Sequence, residues 1–152
     1  MKLIILVGTT TQTAMGVAQA IALSCEDLIQ PIEVRDMNGL TQDIWDEPAV
    51  FLICTATHGS GDVPENAQAF YASFDAHPRY LGHVKYGVMA LGDEASYPDT
   101  FANGGRLFDE KLSDLGARRL GELWLHDASS DVVAEEAGVQ WCRAWLQTHL
   151  IS

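Results

Sequence analysis

Short, uninterrupted apolar runs recur along the chain, and longer segments with helical spacing of apolar residues separate them. An unbroken apolar run covers residues 49–54, and runs that are apolar after a leading lysine cover residues 2–8 and 85–91. Runs of this length are typical of parallel strands that are buried on both faces. Residues 31–35 alternate in character and predict a further strand, and residues 119–126 predict a fifth.

The segments between the strands have the apolar periodicity of helices. We expect four helices, over residues 14–28, 66–74, 104–115 and about 134–150. Residues 36–46 form a polar connection with room for one helical turn. Strands that alternate with helices predict a single α/β domain, in which helices cover both faces of a five-stranded parallel sheet.

Two doubly wound strand orders fit this pattern, and the order decides which loops lie together. In the order 2-1-3-4-5, the loops after strands 1 and 3 are neighbours at the point where the strand order reverses. Ligands of open α/β sheets bind in that crevice, outside the carboxyl ends of the strands. The loops that follow the strands are therefore the candidates for a binding site.

The richest of these loops follows the third strand, at residues 55–66, with the sequence Thr-Ala-Thr-His-Gly-Ser-Gly-Asp-Val-Pro-Glu-Asn. Gly59 and Gly61 allow the backbone to approach a flat ligand without a Cβ in the way. Pro64 suits the turn into the next helix, because its φ is preset and it lacks an N–H group. A tight strand-to-helix connection without a ligand is the alternative interpretation.

A second loop, at residues 9–13, follows the first strand and has the sequence Thr-Thr-Thr-Gln-Thr. Backbone N–H groups and the positive end of the helix dipole favour an anion at such a place, and threonine hydroxyls add donors. The chain lacks both a GxGxxG motif and a Walker-type lysine here, so a pyrophosphate or triphosphate is not indicated. A run of threonine N-caps would explain the same residues without a ligand.

Composition indicates which kinds of partner and which cellular compartment to expect. The chain has 9 Lys+Arg against 21 Asp+Glu, a formal charge of −12, which disfavours nucleic acid and anionic membranes and favours a basic protein surface. No apolar run is long enough to span a bilayer, so we expect a cytoplasmic protein. Cys25, Cys54 and Cys142 lack metal-type spacing and are predicted to be buried, reduced thiols.

Four stretches of the chain, taken together, carry a family resemblance. They are Thr57 to Asn66, Leu91-Gly92-Asp93 with Ser96-Tyr97, Asn103 to Asp109, and Gly116 to Glu122. Over essentially its whole length the chain resembles the short-chain flavodoxins, and most of all the YqcA-like and MioC-like proteins. It is also similar to the FMN domains of sulfite reductase and cytochrome P450 reductase. The resemblance implies the flavodoxin-like fold, with strand order 2-1-3-4-5.

The resemblance also implies FMN as the cofactor and assigns residues to it. The phosphate would lie in a cradle of Thr9, Thr10, Thr11, Gln12, Thr13 and Ala14. One wall of the ring site would consist of Ala56, Thr57, His58 and Gly59. The other wall would consist of Leu91, Gly92, Asp93 and Tyr97, with Tyr97 stacked on the isoalloxazine and Asp127 closing the edge. No catalytic residue and no metal ligand is expected.

The implied function is a low-potential one-electron carrier, a monomer that accepts electrons from an NAD(P)H-dependent flavodoxin reductase and passes them to an acceptor enzyme. The resemblance thus favours an electron-transfer protein over a stand-alone enzyme. The acidic loops would steer such basic-surfaced partners. An FMN-dependent NAD(P)H:quinone reductase is one alternative. The other is an interaction module that binds FMN weakly or not at all.

Three features depart from the pattern of the family. Many relatives have glycine where this chain has Gln12, and a glutamine would be strained if the position needs a positive φ. The loop that carries Tyr97 is about two residues longer than in most relatives. His58 stands where the reductase domains usually have an aromatic residue, and we hypothesise that it makes the reduction potential pH-dependent.

Overall fold

The computed structural model describes residues 2–9 and 12–150. The strands are β1 (Lys2–Gly8), β2 (Ile32–Asp36), β3 (Ala49–Thr55), β4 (Lys85–Gly92), β5 (Arg118–Arg119) and β6 (Trp124–Asp127). The helices are α1 (Thr13–Ser24), α2 (Gln68–Ala76), α3 (Asn103–Asp114) and α4 (Ala134–His149). Short 3-10 turns cover Gln42–Asp46, Glu65–Ala67 and Pro98–Thr100.

All strands are parallel, and their order is β2-β1-β3-β4, with β5 and β6 both paired to the far edge of β4. The order 2-1-3-4-5 is therefore confirmed. The register aligns Gly8 of β1 with Thr55 of β3, and Gly92 of β4 with Asp127 of β6. The loops after these strands consequently emerge at one edge of the sheet.

Helices cover both faces of the sheet, as predicted, because strand residues alternate between two buried layers. On β3, Phe51 and Ile53 pack in the layer under α2 and α3, whereas Leu52 and Cys54 pack under α1 and α4. Trp45 is buried in the first layer, where its ring centroid lies 4.8 Å from that of Phe51. Two apolar layers around one sheet give the site a rigid base.

The fifth strand was predicted as one continuous segment over 119–126, and this prediction was wrong. The structure has two short strands separated at 120–123. Gly121 has a φ of +78° there, and the indole N–H of Trp145 donates to the carbonyl of Leu120 at 2.7 Å. Because Trp145 of α4 bonds to that carbonyl and Gly121 turns the chain, the hydrogen-bond ladder with β4 is interrupted.

The first helix was predicted to reach residue 28, but α1 ends at Ser24. Arg143 of α4 donates to the carbonyl of Ser24 at 2.8 Å and pairs with Asp27 at 2.8 Å. This cation satisfies a carbonyl at the end of α1, and residues 25–29 continue as turns. A contact that joins residues 119 positions apart is invisible to local periodicity.

The three cysteines are buried and free, as predicted. In the part of the chain that the structure describes, no helix has both the length and the apolar character needed to cross a bilayer.

Candidate functional site

The carboxyl ends of the strands open into one cleft with a volume of ≈ 360 Å³. It lies between the loops after β3 and β4 and reaches the start of α1. The residues that line it are Thr13, Ala56, Thr57, Gly59, Leu91, Gly92, Asp93, Tyr97, Thr100, Phe101, Ala102, His126 and Ala128. This is the position in which doubly wound proteins bind their ligands.

The loop after β3 contains a tight, self-bonded turn. His58 and Asp62 exchange backbone hydrogen bonds of 2.8 and 3.0 Å. The turn needs glycine, since φ is +53° at Gly59 and +131° at Gly61. Asn103, the first residue of α3, donates to the carbonyl of Gly61 at 2.6 Å. The turn is therefore held in place as one wall of the cleft.

Thr57 ties this wall to the opposite one. Its hydroxyl donates to the carbonyl of Leu91 at 2.9 Å and accepts the N–H of Gly104 at 3.0 Å. A Cβ at Gly104 would come within 2.4 Å of the carbonyl oxygen of Ala56, so the start of α3 packs directly on the loop. The Thr57 side chain therefore sets the spacing of the two walls.

The loop after β4 forms the second wall. A Cβ at Gly92 would lie 2.6 Å from the backbone nitrogen of Ala102, so glycine permits this close approach. The carboxylate of Asp93 accepts the N–H of Ser96 at 3.2 Å and its hydroxyl at 2.9 Å. The turn that results presents Tyr97, which is 41% exposed, at the cleft.

Asp127 joins the second wall to the loop after β6. One of its carboxylate oxygens accepts the hydroxyl of Ser129 at 2.7 Å, the N–H of Ser129 at 2.9 Å and the N–H of Glu94 at 3.0 Å. These donors, the Ser129 hydroxyl foremost, lower the pKa of Asp127 below its usual range. The N–H of Ala128 also donates to the carbonyl of Gly92 at 2.8 Å.

The far end of the cleft lies at the start of α1. The N–H of Gln12 donates to the hydroxyl of Thr9 at 2.9 Å, and the N–H of Thr9 donates to the side-chain oxygen of Asn66 at 2.8 Å. Gln12 precedes α1 with a φ of +71°, and its side chain makes no capping hydrogen bond. The Gln12 side chain therefore does not cap the first N–H groups of α1. N–H groups that no side chain caps can instead bind an anion at a helix start.

The structure brings most of the predicted site residues to one cleft. The lining includes Thr13, Ala56, Thr57, Gly59, Leu91, Gly92, Asp93 and Tyr97. Five predicted site residues do not line the cleft: Thr9, Gln12, Ala14, His58 and Asp127. All of them except Thr9 adjoin a lining residue in the sequence. Ala14 is buried, and its carbonyl accepts the thiol of Cys54 at 3.5 Å. Thr10 and Thr11 lie outside the described residues.

Several residues of the site were missed. The sequence interpretation did not assign Asn66, Thr100, Phe101, Ala102, His126 or Ala128. Asn66 was visible as the amide that ends the loop after β3, yet its reach to Thr9, 57 residues away, is tertiary. For His126, the available signal was its buried position on β6, one residue before the end of the strand.

The fold and the cleft define an α/β protein that binds a ligand at the switch point of a doubly wound parallel sheet. Comparison with protein families matches residues 5–141 to the flavodoxin model. The chain belongs to the flavodoxin family.

Relatives of two kinds support this assignment. The chain is 33% identical to flavodoxin YqcA of Pectobacterium carotovorum over 143 residues, which covers 91% of this chain and 93% of that protein. It is also 34% identical to the sulfite reductase [NADPH] flavoprotein alpha-component of Vibrio cholerae over 145 residues, 92% of this chain but 22% of that protein. The relatives are thus both free-standing flavodoxins and a domain-sized part of a larger flavoprotein.

Solved structures agree with the fold. A cysteine-to-alanine mutant of a flavodoxin from Pseudomonas aeruginosa superposes with a TM-score of 0.80 at 31% identity, covering 97% of this chain and 99% of that one. A mutant flavodoxin from Fusobacterium nucleatum, bound to flavin mononucleotide, superposes with a TM-score of 0.79 and covers 97% of this chain and 96% of that one. That pair is 12% identical, so it supports the fold alone.

Proposed function

We propose that the chain binds FMN in this cleft and acts as a low-potential one-electron carrier between a reductase and an acceptor enzyme. The observation that carries the proposal is the convergence of three loops on one cleft. The loop at Ala56–Gly59 and the loop at Leu91–Tyr97 face each other across it, and the start of α1 lies at its end. A phosphate-tailed flat molecule matches that arrangement.

The residues present fit FMN at both ends. Leu91, Tyr97 and Phe101 offer apolar and aromatic surface, and Gly59 and Gly92 add no side chain to the space between the walls. The first turn of α1, which the Gln12 side chain does not cap, and the loop tied down by Asn66 suit a phosphate. FMN, when bound, supplies reversible single-electron chemistry, and the chain supplies its orientation and its electrostatic surroundings.

Acidic residues around the cleft favour a low potential and basic partners. Asp62, Glu65, Glu94 and Asp99 are exposed, and Asp93 is half-buried. In residues 2–9 and 12–150, none of these five carboxylates pairs with a cation. Added negative charge is unfavourable beside unneutralised carboxylates, so the reduced flavin anion would be disfavoured.

One basic residue lies near this rim. Arg106 lines a groove with Glu94, Asp99 and Asp127. It offsets part of the acidic field on that side, so the side of the rim that carries Asp62 and Glu65 would be the more attractive to a basic partner. Partner reduction rates that fall with added salt would support steering, and rates independent of salt would remove it.

Stepwise photoreduction of the purified protein with FMN, followed by its visible spectrum, tests the proposal. We expect quenched FMN fluorescence, a yellow protein and accumulation of the one-electron-reduced flavin. A protein that stays colourless and leaves micromolar FMN unquenched would be an interaction module instead. A protein that binds FMN but accumulates no one-electron-reduced form would fit a quinone reductase.

A further inference from the structure

His126 is a buried imidazole at the cleft for which the proposed function gives no role. It lies on β6 opposite Leu91 of β4, and it is 6% exposed. Its ring stacks on the indole of Trp124, with centroids 5.4 Å apart and planes at 20°. The stack on Trp124 and the burial of the residue therefore restrict the orientation of the ring.

The ring nitrogens of His126 touch accessible space instead of a protein partner among the described residues. Among the described residues, the imidazole has no hydrogen-bond partner. In the same part of the chain, no side-chain nitrogen or oxygen is both fully buried and unpartnered. The unpaired nitrogens must therefore touch accessible space, and the space that His126 lines is the cleft.

An imidazole in this position is available to a ligand. Its ring nitrogens reach the accessible space of the cleft, where a ligand hydroxyl would form the hydrogen bond that water otherwise supplies. The neighbouring Asp127 differs from His126, because one of its oxygens already accepts three hydrogen bonds from Ser129 and Glu94. The end of β6 thus offers His126 to a ligand.

The place of His126 along the cleft selects the part of the ligand that it would meet. Trp124, whose ring it stacks on, packs in the layer under α1 and α4. The cleft that His126 lines is also lined by Thr13, at the start of α1, and by Leu91 and Gly92, at the end of β4. Its neighbours in the lining thus come both from the end suited to a phosphate and from the wall suited to the ring.

We propose that His126 is a positioning residue that hydrogen-bonds a hydroxyl of the ribityl chain of FMN. This inference rests on the proposed function, because it requires that FMN is the ligand of the cleft. His126 links the phosphate end to the ring end and holds the ligand chain against the floor formed by β4 and β6. The ring stacked on Trp124 is preorganised for that contact.

Three flavins that differ in one part each test this assignment. FMN has phosphate, ribityl chain and ring; riboflavin lacks the phosphate; lumiflavin lacks the ribityl chain as well. Fluorescence titration of His126→Leu should show affinities for FMN and riboflavin that are each weaker by roughly fivefold to tenfold, the effect of one lost hydrogen bond. The affinity for lumiflavin should change less than about twofold.

Two further variants separate positioning from packing. His126→Gln keeps a donor and an acceptor, so it should restore most of the riboflavin affinity. His77→Leu removes an exposed histidine outside the cleft and should leave all three affinities unchanged. Circular dichroism and thermal unfolding confirm that each variant is folded. If His126→Leu does not fold, NMR of the wild type tests the contact instead. The nitrogen resonances of His126 should shift when riboflavin saturates the cleft.

Each other result overturns the inference in a recognisable way. A loss confined to FMN would assign His126 to the phosphate, and an equal loss for all three flavins would assign it to the ring or to the fold. Unchanged affinities in His126→Leu, or unchanged His126 resonances, would remove the contact. A wild-type protein that binds no flavin would instead overturn the proposed function itself, and the inference with it.

Discussion

Gln12 and Ala102 share an unusual backbone conformation: φ is +71° at Gln12 and +59° at Ala102, and each residue directly precedes a helix that borders the cleft. They are the non-glycine residues with positive φ in the described part of the chain. This conformation brings the Cβ close to the following carbonyl and costs about 1–2 kcal/mol per residue. Strain of this kind collects at ligand sites, where the surrounding structure enforces it.

Replacing Gln12 with glycine should relieve that strain. We expect Gln12→Gly to raise the free energy of unfolding by roughly 0.5–1 kcal/mol, because the gain at positive φ exceeds the entropic cost of glycine. The matched control is Gln19→Gly, an exposed position inside α1, which should lower the free energy of unfolding by about 1 kcal/mol. Urea denaturation measures both. Equal destabilisation by both variants would mean that Gln12 is not strained.

Two glycines near helix starts should respond to alanine in opposite directions. Gly104→Ala would place a Cβ 2.4 Å from the carbonyl oxygen of Ala56, so it should lower the free energy of unfolding by about 1–3 kcal/mol and weaken FMN binding. Gly16→Ala meets a flexible carboxylate oxygen of Glu135 at 3.1 Å and gains helix propensity, up to about 1 kcal/mol. Thermal unfolding of both variants checks the contrast, and a stabilised Gly104→Ala would contradict the close packing.

Thr57 is expected to act through its hydroxyl alone. Thr57→Val keeps the volume but leaves the Gly104 N–H without its acceptor and the Leu91 carbonyl without its donor. We expect a loss of about 1–3 kcal/mol in the free energy of unfolding. Thr57→Ser retains the hydroxyl and should lose less than half as much. If valine and serine were equivalent by chemical denaturation, the bridge would contribute nothing.

The parts of the fold that periodicity predicts are those in which burial is local. The apolar runs of β1, β3 and β4 are buried on both faces. The pattern of residues 2–8 or 85–91 was therefore enough to predict the strand without contacts from other elements. The break between β5 and β6 depends on Trp145 taking the Leu120 carbonyl, a contact from another element. Similarly, the end of α1 depends on Arg143.

The site divides in the same way. Loops that follow strands could be found from the sequence, and the residues of the two walls were therefore named in advance. Asn66 acts across the sheet edge, because its side chain accepts the N–H of Thr9 at 2.8 Å from a position 57 residues away. No spacing within one segment reports such a contact. His126 lines the cleft because the parallel sheet places it opposite Leu91 of β4, which is also a long-range relationship. Strain at Gln12 was expected if the position has a positive φ, and its φ of +71° meets that condition.

His58 is exposed at the rim, where its backbone is pinned to Asp62. If its side chain faces the bound flavin, protonation of the imidazole would favour the anionic reduced form, and the reduction potential would rise as the pH falls. We therefore expect His58→Phe to have a shallower dependence of potential on pH than the wild type, measured by potentiometry between about pH 5 and 8. The control is His77→Phe, outside the cleft. Identical slopes would leave His58 as a residue that only packs at the rim.

Asp127 should make the stability of the cleft sensitive to acid. Hydrogen bonds from Ser129 and Glu94 lower the pKa of its carboxyl from the normal 3.8, so the folded state favours the charged form. The stabilisation is fully present above that normal value, and it is lost as the pH falls through the lowered pKa of the folded protein. Between about pH 5 and 3, the wild type should therefore lose more stability than Asp127→Asn, which keeps an acceptor oxygen but cannot titrate.

The comparison isolates the carboxyl of Asp127. Cationic partners also lower the pKa values of Asp27, Glu33 and Glu47, but these three groups titrate in both proteins. Urea midpoints at about pH 6 and pH 3.5 measure the difference. Asp131→Asn serves as the control, since its carboxylate accepts no hydrogen bond from the described residues of the same loop. Its acid sensitivity should match that of the wild type. If Asp127→Asn lost as much stability as the wild type on acidification, the hydrogen bonds to Asp127 would hold the loops together without favouring its charged form.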